Sequence, residues 1–147
     1  MADSYTAQVD KDVAAIKELM LAVRNKAIEY QVDDMQTPVG AGGRLRVDTN
    51  FLRASLRAAI GDANFVLTFK PDDPKARYTY NPDEVVLVIA KAELSDPVEV
   101  VYTANYAEAR EFGSRGQAGD RWVGLSAQRW KQNVDRAANE LKSRRGS

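Results

Sequence analysis

Apolar positions near the two ends of the chain follow one rhythm. Val9, Val13, Ile16, Met20, Val23, Ala27 and Tyr30 recur at alternating spacings of four and three, which places them on one helical face. The spacing predicts a first helix of about 25 residues, roughly 35–40 Å long at 1.5 Å per residue. Ser4 or Thr6 is the expected N-cap, and Leu19 and Leu21 widen the apolar face. Val123, Ala127, Trp130, Val134, Ala137 and Leu141 repeat the same rhythm, so a second long helix is expected after a cap at Asp120.

Between these ends the rhythm breaks. Pro38, Gly40, Gly42 and Gly43 interrupt any period, and a mobile loop is expected over about residues 36–47. Leu52, Leu56, Ala59 and Ile60 then suggest a short second helix, opened by Asp48 or Thr49 and ended by Gly61. Phe65, Leu67 and Phe69 alternate as in a half-buried strand, and Tyr78-Thr79-Tyr80 reads as a shorter one. Glu84 to Ala90 is rich in Val and Ile and reads as a central strand, followed by a strand over Val98, Val100 and Tyr102. Turns at Pro71-Asp72-Asp73-Pro74 and Asn81-Pro82-Asp83 keep the connections short. Tyr106 to Phe112 forms a short segment stopped by Gly113, and Ser114 to Gly119 is a polar loop. The expected fold is therefore α+β: an antiparallel sheet of about four strands against a long N-terminal and a long C-terminal helix, with a short second helix after the Gly-rich loop. One domain is expected over 1–147, ending in a frayed basic tail at about 142–147.

Charge changes this picture locally. Lys plus Arg and Asp plus Glu each number 21, so no net field draws the chain to nucleic acid or a membrane. The signs are nonetheless segregated. Met1 to Met35 holds four basic and seven acidic residues, and Arg110 to the end holds nine basic and four acidic. Arg44, Arg46, Arg53 and Arg57 have only Asp48 among them. Such segregation suits copies that pack on one another, or a charged partner. The longest apolar run, Val85 to Ala90, is too short to span a bilayer, and Met1 to Val9 is too polar for a secretory leader; a soluble protein is expected.

The inventory of reactive groups is narrow. With no Cys and no His, thiolate nucleophiles, disulfides, Cys/His zinc sites and His-based triads are excluded. The Gly-rich stretch lacks the Lys-Ser/Thr of a phosphate loop and follows a helix rather than a strand. Glu108 and Glu111 superficially match a glycosidase pair, but lie on one segment, where they cannot flank a bond from opposite sides. Asp72 and Asp73 lack Ca²⁺-loop spacing. No catalytic, cofactor-binding or metal-ligating residue is assigned, and an enzyme is not expected. The Arg residues at 44–57, with Arg129, Lys131 and Arg136, are the groups suited to phosphate contact.

Two motifs carry a resemblance. Val47-Asp48-Thr49-Asn50-Phe51-Leu52-Arg53-Ala54-Ser55-Leu56 is similar to the V-D-T-G-x-L-R-x-S segment of the tail-completion proteins (neck, minor tail, head–tail joining) of long-tailed bacteriophages and prophages. Tyr106-Ala107, through Glu111-Phe112-Gly113 to Trp122-Val123, resembles that family's Y-A-x-x-x-E-[YF]-G, its Gly-containing loop and the aromatic before its last helix. Thr37-Pro38-Val39 is similar to its T-P-V lead-in, displaced here by a Gly-rich insertion. Asn50 departs from the pattern by standing where the family has Gly, yet Asn tolerates positive φ better than most residues. The resemblance covers roughly Thr37 to Leu141.

It implies a structural virion protein without cofactor, in the host cytoplasm during assembly and at the head–tail junction or tail end of the particle afterwards. There it forms a homo-oligomeric ring, of six copies by the symmetry of tails, with neck, connector or tail-tube proteins as partners and transient contact with passing DNA. Candidate contact residues are Arg44, Arg46, Arg53, Arg57, Glu111, Phe112, Arg115 and Trp122. The Arg clusters alone support a different expectation, a small nucleic-acid-binding module of a phage or mobile element.

Overall fold

In a computed structural model of the chain, residues 2–145 are described, with side chains from 4 to 144. The first helix, α1, runs Ala2–Gln36, longer than its apolar stripe at both ends, so Ser4 and Thr6 lie within it and do not cap it. Thr37 to Leu45 closes into a turn around a single 3-10 turn at Val39–Ala41. Val39 N–H donates to the Leu45 carbonyl at 2.9 Å, Gly43 N–H donates to Pro38 at 2.9 Å, and Leu45 is 1% exposed. Gly43 has no room for a side chain, since a Cβ would collide with the Thr37 backbone. The final tail residues 146–147 lie outside the described residues; Lys142 to Arg145 belong to the last helix.

Helix α2 is one turn, Phe51–Ala54, and the chain then becomes strand β1, Leu56–Ile60. The expected helix over Leu52 to Ile60 is thus half strand. Ser55 ends the turn through its hydroxyl, which donates to the Leu52 carbonyl at 2.6 Å, and its own carbonyl accepts the Thr103 N–H at 3.0 Å. Burial from Leu56 onward alternates as a strand requires, with Leu56 and Ala58 inside and Arg57 outside. The partner is β2, Val98–Tyr102, antiparallel with Leu56 opposite Tyr102 and Ile60 opposite Val98.

Glu84 to Ala90 is not a strand. It belongs to α3, Asp83–Lys91, whose start reads as a helix: the Asn81 side chain accepts the Asp83 N–H at 3.0 Å, and Asp83 and Glu84 fall in the first turn. Val85 and Ile89, four apart, face the core, whereas Val86 and Leu87 are more than half exposed. The Phe65–Phe69 run meets the rest of the sheet through a single bridge between Thr68 and Ala104, and Tyr78 pairs with Thr49 rather than with a strand. The structure therefore holds two antiparallel two-stranded sheets, β1–β2 and a second formed by β3, Gly113–Ser114, and β4, Gln117–Ala118, in place of one sheet of four. A short helix α4, Ala107–Phe112, precedes that hairpin. The C-terminal helical region is broken at Gln128–Arg129 into α5, Trp122–Ala127, and α6, Trp130–Arg145.

The fold is α+β, with α1 and α6 packed side by side and short elements between. Ala27 on α1 and Ala137 on α6 are both fully buried, which lets two helices approach closely. One apolar cluster joins Val32 and Met35 of α1 to Leu56, Ala58, Val85 and Ile89. A second joins Leu45, Phe51, Leu52, Ala104, Ala107 and Trp122. Tyr102 and Val123 pack against both, so the two clusters act as one core. Arg24 fastens α1 to the loop after α3: its guanidinium donates to the carbonyls of Glu93, Leu94 and Asp96 at 2.8, 3.0 and 3.1 Å.

Candidate functional site

The two sequence motifs, more than fifty residues apart at their starts, meet in space. Arg46 to Arg53 forms one wall of an open cleft of about 560 Å³, and Tyr106, Arg110 and Gly113 to Asp120 form the other, with Lys70 at the side. Behind the cleft, Phe51 stacks edge-on to Tyr78 with ring centres 5.0 Å apart and lies 6.1 Å from Tyr106.

Each motif residue has a local task. Asn50 sits at φ 72°, the left-handed conformation that a Gly would adopt without strain, and its side-chain amide donates to the Tyr78 carbonyl at 2.9 Å. Tyr78 N–H returns a bond to Thr49 at 3.0 Å, so the turn is held from both sides. The Asn in place of Gly therefore keeps the turn and adds a tether. In the second motif Glu111 is buried, and its carboxylate accepts the N–H groups of Val123 and Gly124 at 2.9 and 3.0 Å. These are free donors in the first turn of α5, where a negative charge is favoured. Gly113, at φ 94°, starts the hairpin where a Cβ would strike the Gln117 carbonyl. Arg115 and Gly116 occupy the tip, both at positive φ, as a two-residue type I′ turn requires.

Asp120 is the electrostatic centre of the cleft. Its carboxylate pairs with Arg46 through Nε at 2.9 Å and through a second, closer guanidinium nitrogen, and lies 3.7 Å from Arg110. Asp120 keeps only 10% of its side chain exposed against 61% for Arg46. The hydrogen bond and charge of Asp120 hold the Arg46 guanidinium above its ordinary value. Sequence reading gave Asp120 to a helix cap. Its true role joins segments 74 residues apart, and the only signal was an acid placed directly before Arg121. Leu45, the anchor of the loop, was likewise invisible as core because it stands alone between Gly43, Arg44 and Arg46.

The structure distributes the other candidate residues unevenly. Arg44 and Arg115 are exposed at loop tips, and Phe112 is 69% exposed beside the hairpin. Arg53 faces inward to α1: its Nε donates to the Gln36 carbonyl at 2.9 Å, the Gln36 amide returns a bond to the Arg53 carbonyl at 2.9 Å, and its guanidinium lies 5.5 Å from the Tyr80 ring centre. Arg57 pairs with Glu84 at 2.7 Å. Arg53 and Arg57 stand on different elements, α2 and β1, and do not form one basic surface. Glu111 and Trp122 are interior, and Trp122 is 1% exposed, edge-on to Tyr102 at 5.2 Å. Its indole N–H has no hydrogen-bond partner among the described residues, and burial pushes the Tyr102 hydroxyl up. The Tyr102 hydroxyl donates to Gln36 Oε1 at 2.6 Å, which ties β2 to α1.

Among the described residues no group of three or more His, Cys, Asp or Glu side chains is placed to hold a metal ion, and no helix is long and apolar enough to cross a membrane. Compared with protein-family models, with curated proteins and with solved structures, the chain matches none of them.

Proposed function

We propose that the protein is a structural subunit of a tailed-phage particle that assembles as a ring at the head–tail junction or tail end, completing the tail and joining it to the DNA-filled head. The observation that carries this reading is the convergence of both motifs on one cleft, beside apolar side chains that the subunit leaves uncovered. Leu67 and Phe69 are 59% and 70% exposed on the segment leading to Lys70 of the cleft, and Phe112 is 69% exposed where α4 enters the hairpin. Large apolar side chains left this exposed suit contact with another macromolecule. The buried pairings of Glu111 and Asp120 brace the hairpin instead of presenting chemistry, which suits a docking surface. A cyclic assembly needs two different faces that fit each other, and the acidic first segment and the basic last segment of the chain supply unlike charge.

Native mass spectrometry and negative-stain electron microscopy at high concentration test this. A closed ring, of six copies by the resemblance, is expected, and Phe69→Asp with Phe112→Asp should abolish it while leaving the melting temperature of the monomer unchanged. No closed species under any condition, together with neighbouring genes unrelated to portal, capsid or tail-tube proteins, would overturn the proposal.

A further inference from the structure

Strand β2 leaves one edge of its backbone unpaired. The Thr103 N–H donates to Ser55 and the Gly61 N–H donates to Pro97, so the ladder with β1 is bonded through Glu99 and Val101. Val98, Val100 and Tyr102 therefore turn their N–H and C=O groups away from β1, and among the described residues no hydrogen bond reaches them. The opposite edge of the same sheet is closed: the Ala58 N–H donates to the Glu84 carboxylate at 3.4 Å, and α3 packs against β1. Beside β2 runs an open groove of about 500 Å³. Val98 and Val100 form one wall, Ala127 and Trp130 the other, and Ile28 and Met35 of α1 the floor. Neither β1 nor α3 lines it, so it lies along the unpaired edge. Ala127 is exposed and Trp130 is 41% exposed, which leaves the far wall open to solvent.

We propose that this groove takes an extended segment of a protein partner, which joins the sheet as a third strand antiparallel to β2. The unpaired row identifies the occupant. A row of backbone donors and acceptors is matched by another extended backbone, and the apolar groove beside it suits a segment that is apolar at every second position. Val100 and Tyr102 lie opposite Ala58 and Leu56 and face the core with them. Antiparallel neighbours share a face, so residues of the added strand that bond to β2 point their side chains to the groove floor. Its apolar residues are thus the ones whose N–H and C=O groups meet β2. A second copy of the chain does not fit. The edge is about 17 Å long at 3.4 Å per residue, whereas two folded proteins that stay together bury about 800 Å² on each side. Each copy's own α5 would also stand between the two edges. A segment of about five residues enters where a folded body is kept out. The groove shares no lining residue with the cleft, and its occupant does not depend on the ring.

Fluorescence anisotropy on the full chain tests this, with the labelled peptide Lys-Val-Thr-Val-Thr-Val-Lys as probe. Saturable binding is expected. In amide NMR spectra Val98, Val100 and Tyr102 should shift, while Arg46 to Arg53 of the cleft stay in place. N-methylating the valines should weaken binding about tenfold or more, and N-methylating the threonines should change it less than about twofold. Ala127→Glu should also weaken it about tenfold. Its melting temperature should be unchanged, since Ala127 is exposed and lies outside both core clusters. No binding at millimolar peptide, equal binding of the two methylated peptides, or full binding by Ala127→Glu would each overturn the proposal. So would dimers of the chain itself that Ala127→Glu dissolves, which would give the groove to a second copy. A ring that forms in a chain that binds no peptide would overturn this inference and leave the ring standing. Peptide binding with no ring would do the reverse.

Discussion

Glu111 accepts the backbone N–H of Gly124 at 3.0 Å while its second oxygen takes Val123, so one buried carboxylate ties the last turn of α4 to the first turn of α5. Removing that carboxylate strands two donors in the interior. Glu111→Ala should destabilise the fold by about 2–3 kcal/mol and Glu111→Gln by about 1 kcal/mol, since the amide oxygen keeps one bond without the charge. Urea unfolding measures both; equal costs would mean that the charge itself contributes nothing.

Asn50 provides a test of the motif's one departure. Asn50→Gly relieves the left-handed backbone but loses the bond to Tyr78, and the two effects, each about 1 kcal/mol, should nearly cancel. Asn50→Ala loses the bond and keeps the strain, so a loss of about 2 kcal/mol is expected. Thermal unfolding of the two variants side by side distinguishes them, and a stable Ala variant would contradict the argument.

Arg53 and Arg57 should behave differently despite their identical chemistry. Arg53→Ala breaks the reciprocal contact with Gln36 between α2 and α1, and should cost about 1–2 kcal/mol. Arg57→Ala loses an ion pair that is largely open to water and should cost less than about 1 kcal/mol. Equal costs in denaturant titration would argue against the inward role of Arg53. The difference also means that weaker DNA binding in an Arg53 variant is interpretable only after its folding has been checked.

Tyr102 makes stability depend on alkaline pH. Burial raises its hydroxyl above the ordinary value of 10.0, so the folded state holds its proton where the unfolded chain has released it. The unfolded chain then binds fewer protons, and stability falls as pH rises above about 10. The contribution is fully present below that point. Tyr102→Phe should flatten the decline between pH 9.5 and about 11 while lowering stability at neutral pH by about 1 kcal/mol through the lost bond to Gln36. Unfolding curves across that range decide the matter; an unchanged slope would assign the decline to other tyrosines.

The chain's own pattern determined the two terminal helices, the strand at Val98–Tyr102 and the stop at Gly113, whereas the turn at Asn50 entered only through the resemblance. Each depends on residues within a few positions of one another: an apolar row at 3.6, an alternation at 2, a residue that accepts positive φ. The site was legible only as two separate motifs. Their meeting, the Asp120 pairings with Arg46 and Arg110, and the anchoring of the loop by Leu45 depend on groups brought together by the folded core. Tertiary structure also decided the two reversed elements. Val85 to Ala90 has strand-forming residues, yet as a helix against β1 it buries Val85 and Ile89 in the core. Leu56 to Ile60 has a helical spacing, but Val98 to Tyr102, some forty residues later, offers it a full antiparallel ladder. Local pattern states which side chains want burial, and the partner that arrives from far along the chain settles which backbone satisfies both the side chains and the hydrogen bonds.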